Sequence, residues 1–215
     1  MKKLCIALAV AAVAPLAMAQ SAGDLVVRVR AVHLQSANTN SADLKTTLTA
    51  VAGTTADASI NDKWIPEVDF TYFVTPNIAA ELILTYPQKQ DLYLNAGGTQ
   101  SKIGTFKHLP PTLTAQYHFT GMGAFKPYLG AGVNYTRLSR VSFDPSLSAL
   151  GLELKKNSFG LAFQAGADYA LDKKWSLNFD VKKVQIKTEV SSNGTKIGTF
   201  KVDPLLVGVG VGYKF

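Results

Sequence analysis

The sequence predicts an all-β protein, an eight-stranded antiparallel transmembrane β-barrel. Three observations carry that prediction: an export signal at the N-terminus, repeated period-two alternation with almost no helix signal, and apolar faces long enough to cross a bilayer on a tilt. The chain opens with MKKLCIALAVAAVAPLAMAQ, two lysines followed by an apolar stretch from Leu4 to Leu16 and then Ala17-Met18-Ala19. That is the pattern of a cleaved signal peptide over residues 1–19, with a mature chain beginning at Gln20. A membrane-spanning helix is the competing reading, but the stretch is short and contains Pro15, whereas a span needs ~20 residues. Cys5, the single cysteine, departs with the signal, so the mature chain is expected to carry no disulfide and no thiolate metal site. Loss of Lys2 and Lys3 lowers the formal charge from +7 to +5 over 215 − 19 = 196 residues. The basic pairs Lys155-Lys156, Lys173-Lys174 and Lys182-Lys183 are scattered rather than aligned in a stripe. With export, this argues against nucleic acid as a partner.

The strands follow in order. The first is Asp24–Leu34. In the second, Val68, Phe70, Tyr72 and Val74 alternate with Asp69 and Thr71. In the third, Ile78, Ala80, Leu82, Leu84 and Tyr86 oppose Ala79, Glu81, Ile83 and Thr85. The fourth sets Leu113, Ala115, Tyr117 and Phe119 against Thr112, Thr114, Gln116 and His118. The fifth covers Pro127–Leu138, and the sixth runs from Ser158 to Tyr169 with Phe159, Leu161 and Phe163 on one face. The seventh, Trp175–Val190, slips phase at Lys182-Lys183, where Phe179 and Val181 give way to Val184 and Ile186; a bulge is expected there. The eighth places Leu205, Val207, Val209, Val211, Tyr213 and Phe215 opposite Gly208, Gly210 and Gly212, which make room in the lumen. A soluble sandwich also alternates, but its strands are shorter, with a mode of ~5–6 residues. An apolar exterior around a polar interior belongs to a membrane barrel.

Connections at 75–77, 120–126 and 170–174 are short, as periplasmic turns should be. Residues 35–63, 87–101 and 138–157 read as long polar extracellular loops, joined on that side by a tight Asn-Gly hairpin at 191–195. The expected location is the cell outer membrane.

The predicted inward faces gather Arg28, Arg30, Glu67, Asp69, Glu81, Asp168, Asp180 and Lys182, with His118 beside them. Carboxylate pairs suit acid–base catalysis, and acids near histidine suit a metal. The simpler reading is a salt-bridged plug, because an eight-stranded interior is just wide enough for side chains. His33, His108 and His118 lack metal spacing, no Gly-x-Ser-x-Gly elbow is present, and "GVGVG" precedes no helix. No enzyme activity, cofactor or metal is expected.

The hexapeptide KIGTFK occurs at Lys102–Lys107 and at Lys196–Lys201, with Pro110 and Pro204 three residues after each copy. In the shared phase Phe106 and Phe200 face the lumen while Lys107 and Lys201 face outward. Lys107 lies ~30 Å above Phe119 at ~3.3 Å per residue and ~40° tilt, beyond the ~25 Å apolar band. It can therefore meet lipopolysaccharide phosphate. Pro110-Pro111 must each cost a ladder hydrogen bond, and Pro87 lies near the same seam. The residues alone leave two readings open: a local opening of the wall, or strand ends above the lipid where water satisfies the backbone.

"HLPPTLTAQYHF", "KPYLGAGVNYT", "TYFVTPNIAAELI", "FQAGADY" and "VDPLLVGVGVGYKF" together resemble the OmpW family of bacterial outer-membrane proteins over the whole mature chain. The resemblance implies a passive channel for small hydrophobic molecules, entered from outside, with prolines interrupting the wall so that the solute leaves sideways into the membrane. It implies an apolar pair at the channel floor: Ile83 matches its first member, while Lys182 stands where part of the family has an aromatic residue. Other readings are a sealed structural or receptor barrel and a lipid-modifying enzyme, although no nucleophile system faces lipid. Tyr213 and Phe215 resemble the C-terminal signal read by the outer-membrane insertion machinery. Expected partners are therefore that machinery, outer-membrane lipid and lipopolysaccharide, and small hydrophobic solutes.

Overall fold

The computed structural model describes residues 20–215; the expected signal peptide, residues 1–19, lies outside the described residues. In chain order the elements are β1 (Leu25–Gln35), β2 (Thr39–Asn40), α1 (Ala42–Ala52), β3 (Ala56–Ile60), β4 (Lys63–Phe73), β5 (Ile78–Leu84), β6 (Gln88–Ala96) and β7 (Thr99–Leu109). They continue as β8 (Thr112–His118), β9 (Phe125–Phe143), a 3-10 turn (Pro145–Leu150), β10 (Leu152–Leu154), β11 (Asn157–Ala170), β12 (Trp175–Val184), β13 (Lys187–Ser192), β14 (Thr195–Lys201) and β15 (Leu205–Lys214).

Eight of these strands close a barrel in the order β1-β4-β5-β8-β9-β11-β12-β15, with β15 returning to β1 and all neighbours antiparallel. Closure leaves no sheet edge, the condition for strands to cross lipid. The outward residues form a belt that a soluble surface would not carry, including Phe70, Leu82, Leu113, Leu129, Phe163, Phe179 and Val209. The three turns at the end holding both termini are short, and the other end carries the longer connections.

Those longer segments are not the polar loops expected. Residues 35–63 hold β2, α1 and β3. Helix α1 begins at Ser41, whose Oγ accepts the Leu44 N–H at 3.3 Å, and stops at Gly53 with φ of 67°. Leu44 is buried and Leu48 packs beside it. The helix escapes the periodicity because it is 11 residues long with a narrow apolar stripe. Residues 87–101 form β6 and a Gly97-Gly98 turn into β7, so they extend the wall. Residues 138–157 hold the end of β9, the 3-10 turn and β10. Asn193 and Gly194, both at positive φ, turn β13 into β14.

The bulge expected at Lys182-Lys183 is absent. Asp180, Lys182, Val184 and Ile186 all point inward, and the pairing Lys183↔Leu205 resumes as Lys187↔Lys201 without an offset. What changes at this level is the polarity of the lumen, not the direction of the chain.

Glycine in KIGTFK has a physical reason in both copies. A Cβ on Gly198 would stand 2.5 Å from Leu44 Cβ and 2.6 Å from its nitrogen, and one on Gly104 would stand 2.6 Å from Ser142 O. At the other end of the barrel the Phe215 N–H donates to Leu25 O at 2.9 Å, extending the β15–β1 seam by one bond. Its ring packs on Tyr213 at 4.8 Å, and Tyr213 packs on Trp175 at 4.9 Å. Deleting Phe215 removes that last bond and the outer ring of the aromatic cluster. The expected result is a lower amount of folded, heat-modifiable barrel in the outer membrane, read on gels of boiled and unboiled samples.

Candidate functional site

The inward charges expected from the sequence converge on one network. Arg28 on β1 forks onto Asp168, Nε to Oδ1 at 2.9 Å and Nη2 to Oδ2 at 2.7 Å, and its Nη1 donates to Asp69 at 3.0 Å and to Thr71 at 2.5 Å. Arg30, one inward step higher, pairs with Asp69 at 2.5 Å and with Glu67 and Glu81 at 3.0 Å each. Lys182 Nζ meets Glu67 at 2.6 Å and Asp180 at 3.0 Å. All are buried. Neutral donors add further bonds to the carboxylates: Tyr128 OH on Asp180 at 2.8 Å, Gln164 on Glu81 at 2.9 Å and Asn178 on Asp168 at 2.9 Å. His118 is not part of the ion pairs. Its ring packs between Phe73 (4.7 Å) and Tyr128 (5.0 Å), and Nε2 meets Gln116 Oε1 at 2.8 Å.

Space for the arginines comes from β15. A Cβ on Gly210 would lie 2.8 Å from Arg30 Cγ, and one on Gly212 would lie 3.2 Å from Arg28 Cγ. The carboxylates are thus taken up by cations and hydroxyls, and among the described residues no group of three or more His, Cys, Asp or Glu side chains is arranged to hold a metal ion.

Above the plug the interior holds a large apolar cluster, interspersed with the buried polar side chains Gln88, Gln90, His108 and Thr136. Val32, Leu34, Ile60, Ile65, Leu92, Leu138, Val184, Ile186 and Leu206 form one cluster with Phe106, Phe200 and Leu44 of α1. Both phenylalanines of the repeated hexapeptide therefore point inward, into this cluster. Between plug and cluster lies a cavity of about 20 Å³. Ile83, Lys182 and Glu67 line it together with Leu34, Thr85 and Pro110. Ile83 and Lys182 thus stand at one level, where the charged plug meets the apolar cluster.

The wall is interrupted at the same level. Pairing between the third and fourth staves ends at Ile83↔Thr112 and resumes at Gln88↔His108, one residue out of register. Pairing between the second and third staves ends at Val68↔Leu84 and resumes at Ile60↔Leu92. Thr85-Tyr86-Pro87 therefore lies outside the ladder on both sides, with Tyr86 and Pro87 exposed. Pro87, Pro110 and Pro111 flank this gap. Side chains replace part of the missing ladder. Asn134 Nδ2 donates to Pro110 O at 3.2 Å and Pro111 O at 3.1 Å, Thr85 Oγ1 donates to Pro66 O at 2.9 Å, and Gln88 Nε2 donates to Tyr86 O at 3.0 Å.

Pro66, Thr85 and Asn134 were not among the residues singled out in the sequence. Pro66 could have been, because a proline inside the β4 pattern removes a ladder donor; its carbonyl faces β5, so its missing N–H does too. Asn134 carried no comparable signal.

Replacing Lys182 by Met takes one of two cations from Glu67, which keeps Arg30 at 3.0 Å, and leaves Asp180 with the Tyr128 hydroxyl and Arg30 at 3.5 Å. The unfolding free energy is expected to fall, by less than the ~3–5 kcal/mol of a fully unpaired buried charge. Arg30 and the neighbouring side chains still fill the lumen, so conductance in planar bilayers should stay at the parent level while urea unfolding shifts.

The OmpW family profile matches residues 21–215. The uncharacterized outer-membrane protein y4mB of Sinorhizobium fredii is 45% identical over 166 residues, 74% of this chain and 69% of its own. The dibenzothiophene metabolism operon protein PahQ of Pseudomonas aeruginosa is 29% identical over 170 residues, 77% of each chain. Among solved structures, the crystal structure of the outer membrane protein OprG from Pseudomonas aeruginosa superposes with a TM-score of 0.77 at 28% identity, covering 92% of this chain and 98% of that one. Barrel closure, lipid-facing belt and family match agree: the chain is an outer-membrane β-barrel and belongs to the OmpW family.

Proposed function

We propose that this barrel is a passive channel for uptake of small hydrophobic molecules, which enter from the cell exterior and leave sideways into the membrane. The observation that carries the reading is the unpaired Thr85–Pro87 segment beside the cavity that Thr85 and Pro110 line. A solute beside the apolar cluster of the upper lumen meets Lys182 and Glu67 below it, and desolvating that pair for an apolar molecule is unfavourable. The weak place at that height is the wall. Thr85–Pro87 has no ladder bond of its own to break, only the side-chain bonds from Thr85 to Pro66 O and from Gln88, so widening the cavity of about 20 Å³ there costs fewer bonds than in the paired wall. The name of PahQ ties that relative to the metabolism of dibenzothiophene, a sparingly soluble fused aromatic, which supports a hydrophobic cargo for this chain too. No catalytic step is proposed. With the termini in the periplasm, Tyr213 and Phe215 would be read by the insertion machinery, and the opposite rim would stand among lipopolysaccharide.

A sealed structural barrel is the second reading, favoured by the smallness of that cavity. The double change Pro110→Ala, Pro111→Ala separates the two. Each restored N–H adds about 0.5–1.5 kcal/mol where it finds an acceptor. Under the channel reading the variant is as stable as the parent or more so, yet takes up a hydrophobic solute several-fold more slowly in cells matched for folded protein. Pro204→Ala should leave uptake at the parent level, because its seam is already bridged by the Val184 and Val202 N–H groups. Equal uptake by the parent and the double variant would overturn the lateral route and make the prolines ordinary strand ends. Uptake by both no faster than in cells without the protein would favour the sealed barrel.

A further inference from the structure

A second cleft, of about 380 Å³, opens on the outer surface of the wall at the end opposite the termini. Lys155, Lys187, Lys196 and Lys201 line it, with Glu189 as the acid among them, so its formal charge is 4 − 1 = +3. Glu189 is shared by Lys155 at 3.1 Å and Lys196 at 3.7 Å. Lys187 and Lys201 stand directly opposite each other across the β13–β14 ladder, on its outward face. Like charges in that register repel, and a sheet is destabilised by them unless an anion lies between.

The depth of the cleft is set by Phe159, which forms its lower lip. The lipid-facing series on β11 runs Phe163, Leu161, Phe159, all exposed, and above Phe159 the next outward residues are Asn157 and Lys155. The N–H of Lys187 donates to Ser158 Oγ at 3.0 Å, which puts Lys187 at the height of Phe159. The lysines therefore begin where the apolar belt ends.

We propose that this cleft binds the phosphorylated headgroup of a lipid in the outer leaflet, with phosphate bridging Lys187 and Lys201 and acyl chains lying against Phe159 and Leu161. Ammonium groups are strong donors to phosphate, and basic pockets at the edge of a bilayer hold anionic headgroups. Aromatic and apolar side chains directly below favour a lipid over a soluble anion. The site is independent of solute passage and rests on the outer-membrane placement of the barrel alone.

The test uses the refolded full barrel in detergent micelles and a glucosamine-disaccharide lipid carrying phosphates at both ends. Binding is counted by native mass spectrometry. The parent should bind this lipid about tenfold more tightly than the Lys187→Gln, Lys201→Gln variant, the loss expected for charge-assisted contacts to one phosphate. The Lys187→Arg, Lys201→Arg variant should keep parent affinity, and the dephosphorylated lipid should bind the parent as weakly as the double Gln variant binds the phosphorylated one. Lys173→Gln, Lys174→Gln, at the other end of the barrel, should change nothing. Equal binding by the parent and the double Gln variant, or an equal loss from the Lys173 and Lys174 changes, overturns the proposal. So does displacement of the lipid by inorganic phosphate at matching concentrations, which would assign the cleft to a soluble anion. If the double Gln variant fails to refold, Lys201→Gln, an exposed single change, is read by the same criteria.

Discussion

Backbone pairing at membrane depth is the constraint from which the rest of this structure follows. Lipid offers no hydrogen-bond partner, so each N–H and C=O within it must find one in the protein. Eight strands meet that demand by closing on themselves, and their number fixes an interior only wide enough for side chains. A narrow interior that carries charge must then pair it. Arg28 and Arg30 do so because a guanidinium presents five donors in a fan, which reaches carboxylates on β4, β5, β11 and β12 from a single strand. The fan needs room, and the room is supplied by glycines on the neighbouring β15. Closure, the arginine pair and the glycine run are thus one solution to one requirement.

On four of the eight staves the interior changes polarity within a single inward step. Going up the barrel, Arg30 is followed by Val32 on β1, Glu81 by Ile83 on β5, and Lys182 by Val184 on β12. On β4, Ile65 lies directly above Glu67. Arg30 pairs with Glu67 and Val32 with Ile65 in register, so the boundary is level across β1 and β4. On β8 and β9 the inward Thr112, Asn134 and Thr136 stay polar at and above it. The boundary coincides with the last ladder pair before the wall gap, Ile83↔Thr112. In the channel proposed above, this shared height matters, since a solute held above the charges at any other level would meet an intact wall.

Much of this was legible because period two acts locally. Each strand of the barrel announces its facing residue by residue, so Arg28, Glu67, Asp168 and the rest could be assigned to the lumen without knowing their partners. Partners were less legible. Lys182 meets Glu67 from a strand 115 positions earlier, an acid the sequence did not single out as its counter-ion. The upper wall is less legible for a physical reason: β6 turns Gln88 and Gln90 inward along with Leu92, and α1 buries only a narrow stripe at Leu44, so the usual contrast between a greasy outside and a polar inside is lost there. The apparent phase slip at Lys182-Lys183 has the same origin. A pattern that labels faces by polarity inverts when the lumen itself becomes apolar, although the strand continues undisturbed.

The two copies of KIGTFK show how far a motif governs its surroundings. Both turn their phenylalanine inward, both bring their glycine against another backbone, and both are followed three residues later by proline. Yet the second seam is closed. Val202 N–H donates to Ile186 O at 2.9 Å, Val184 N–H donates to Pro204 O at 3.2 Å, and the Asp203 carboxylate accepts the Ile186 N–H at 2.8 Å. Pairing resumes there in the same register. The first seam has a second proline, and the neighbouring strand carries one residue too many between Ile83 and Gln88, so donors and acceptors no longer face each other. The motif therefore fixes height and facing, while the neighbouring strand decides whether the wall at that height is closed. A third-stave insertion of one residue, Thr85 to Pro87 spanning the excess, is what separates an ordinary proline kink from a gap.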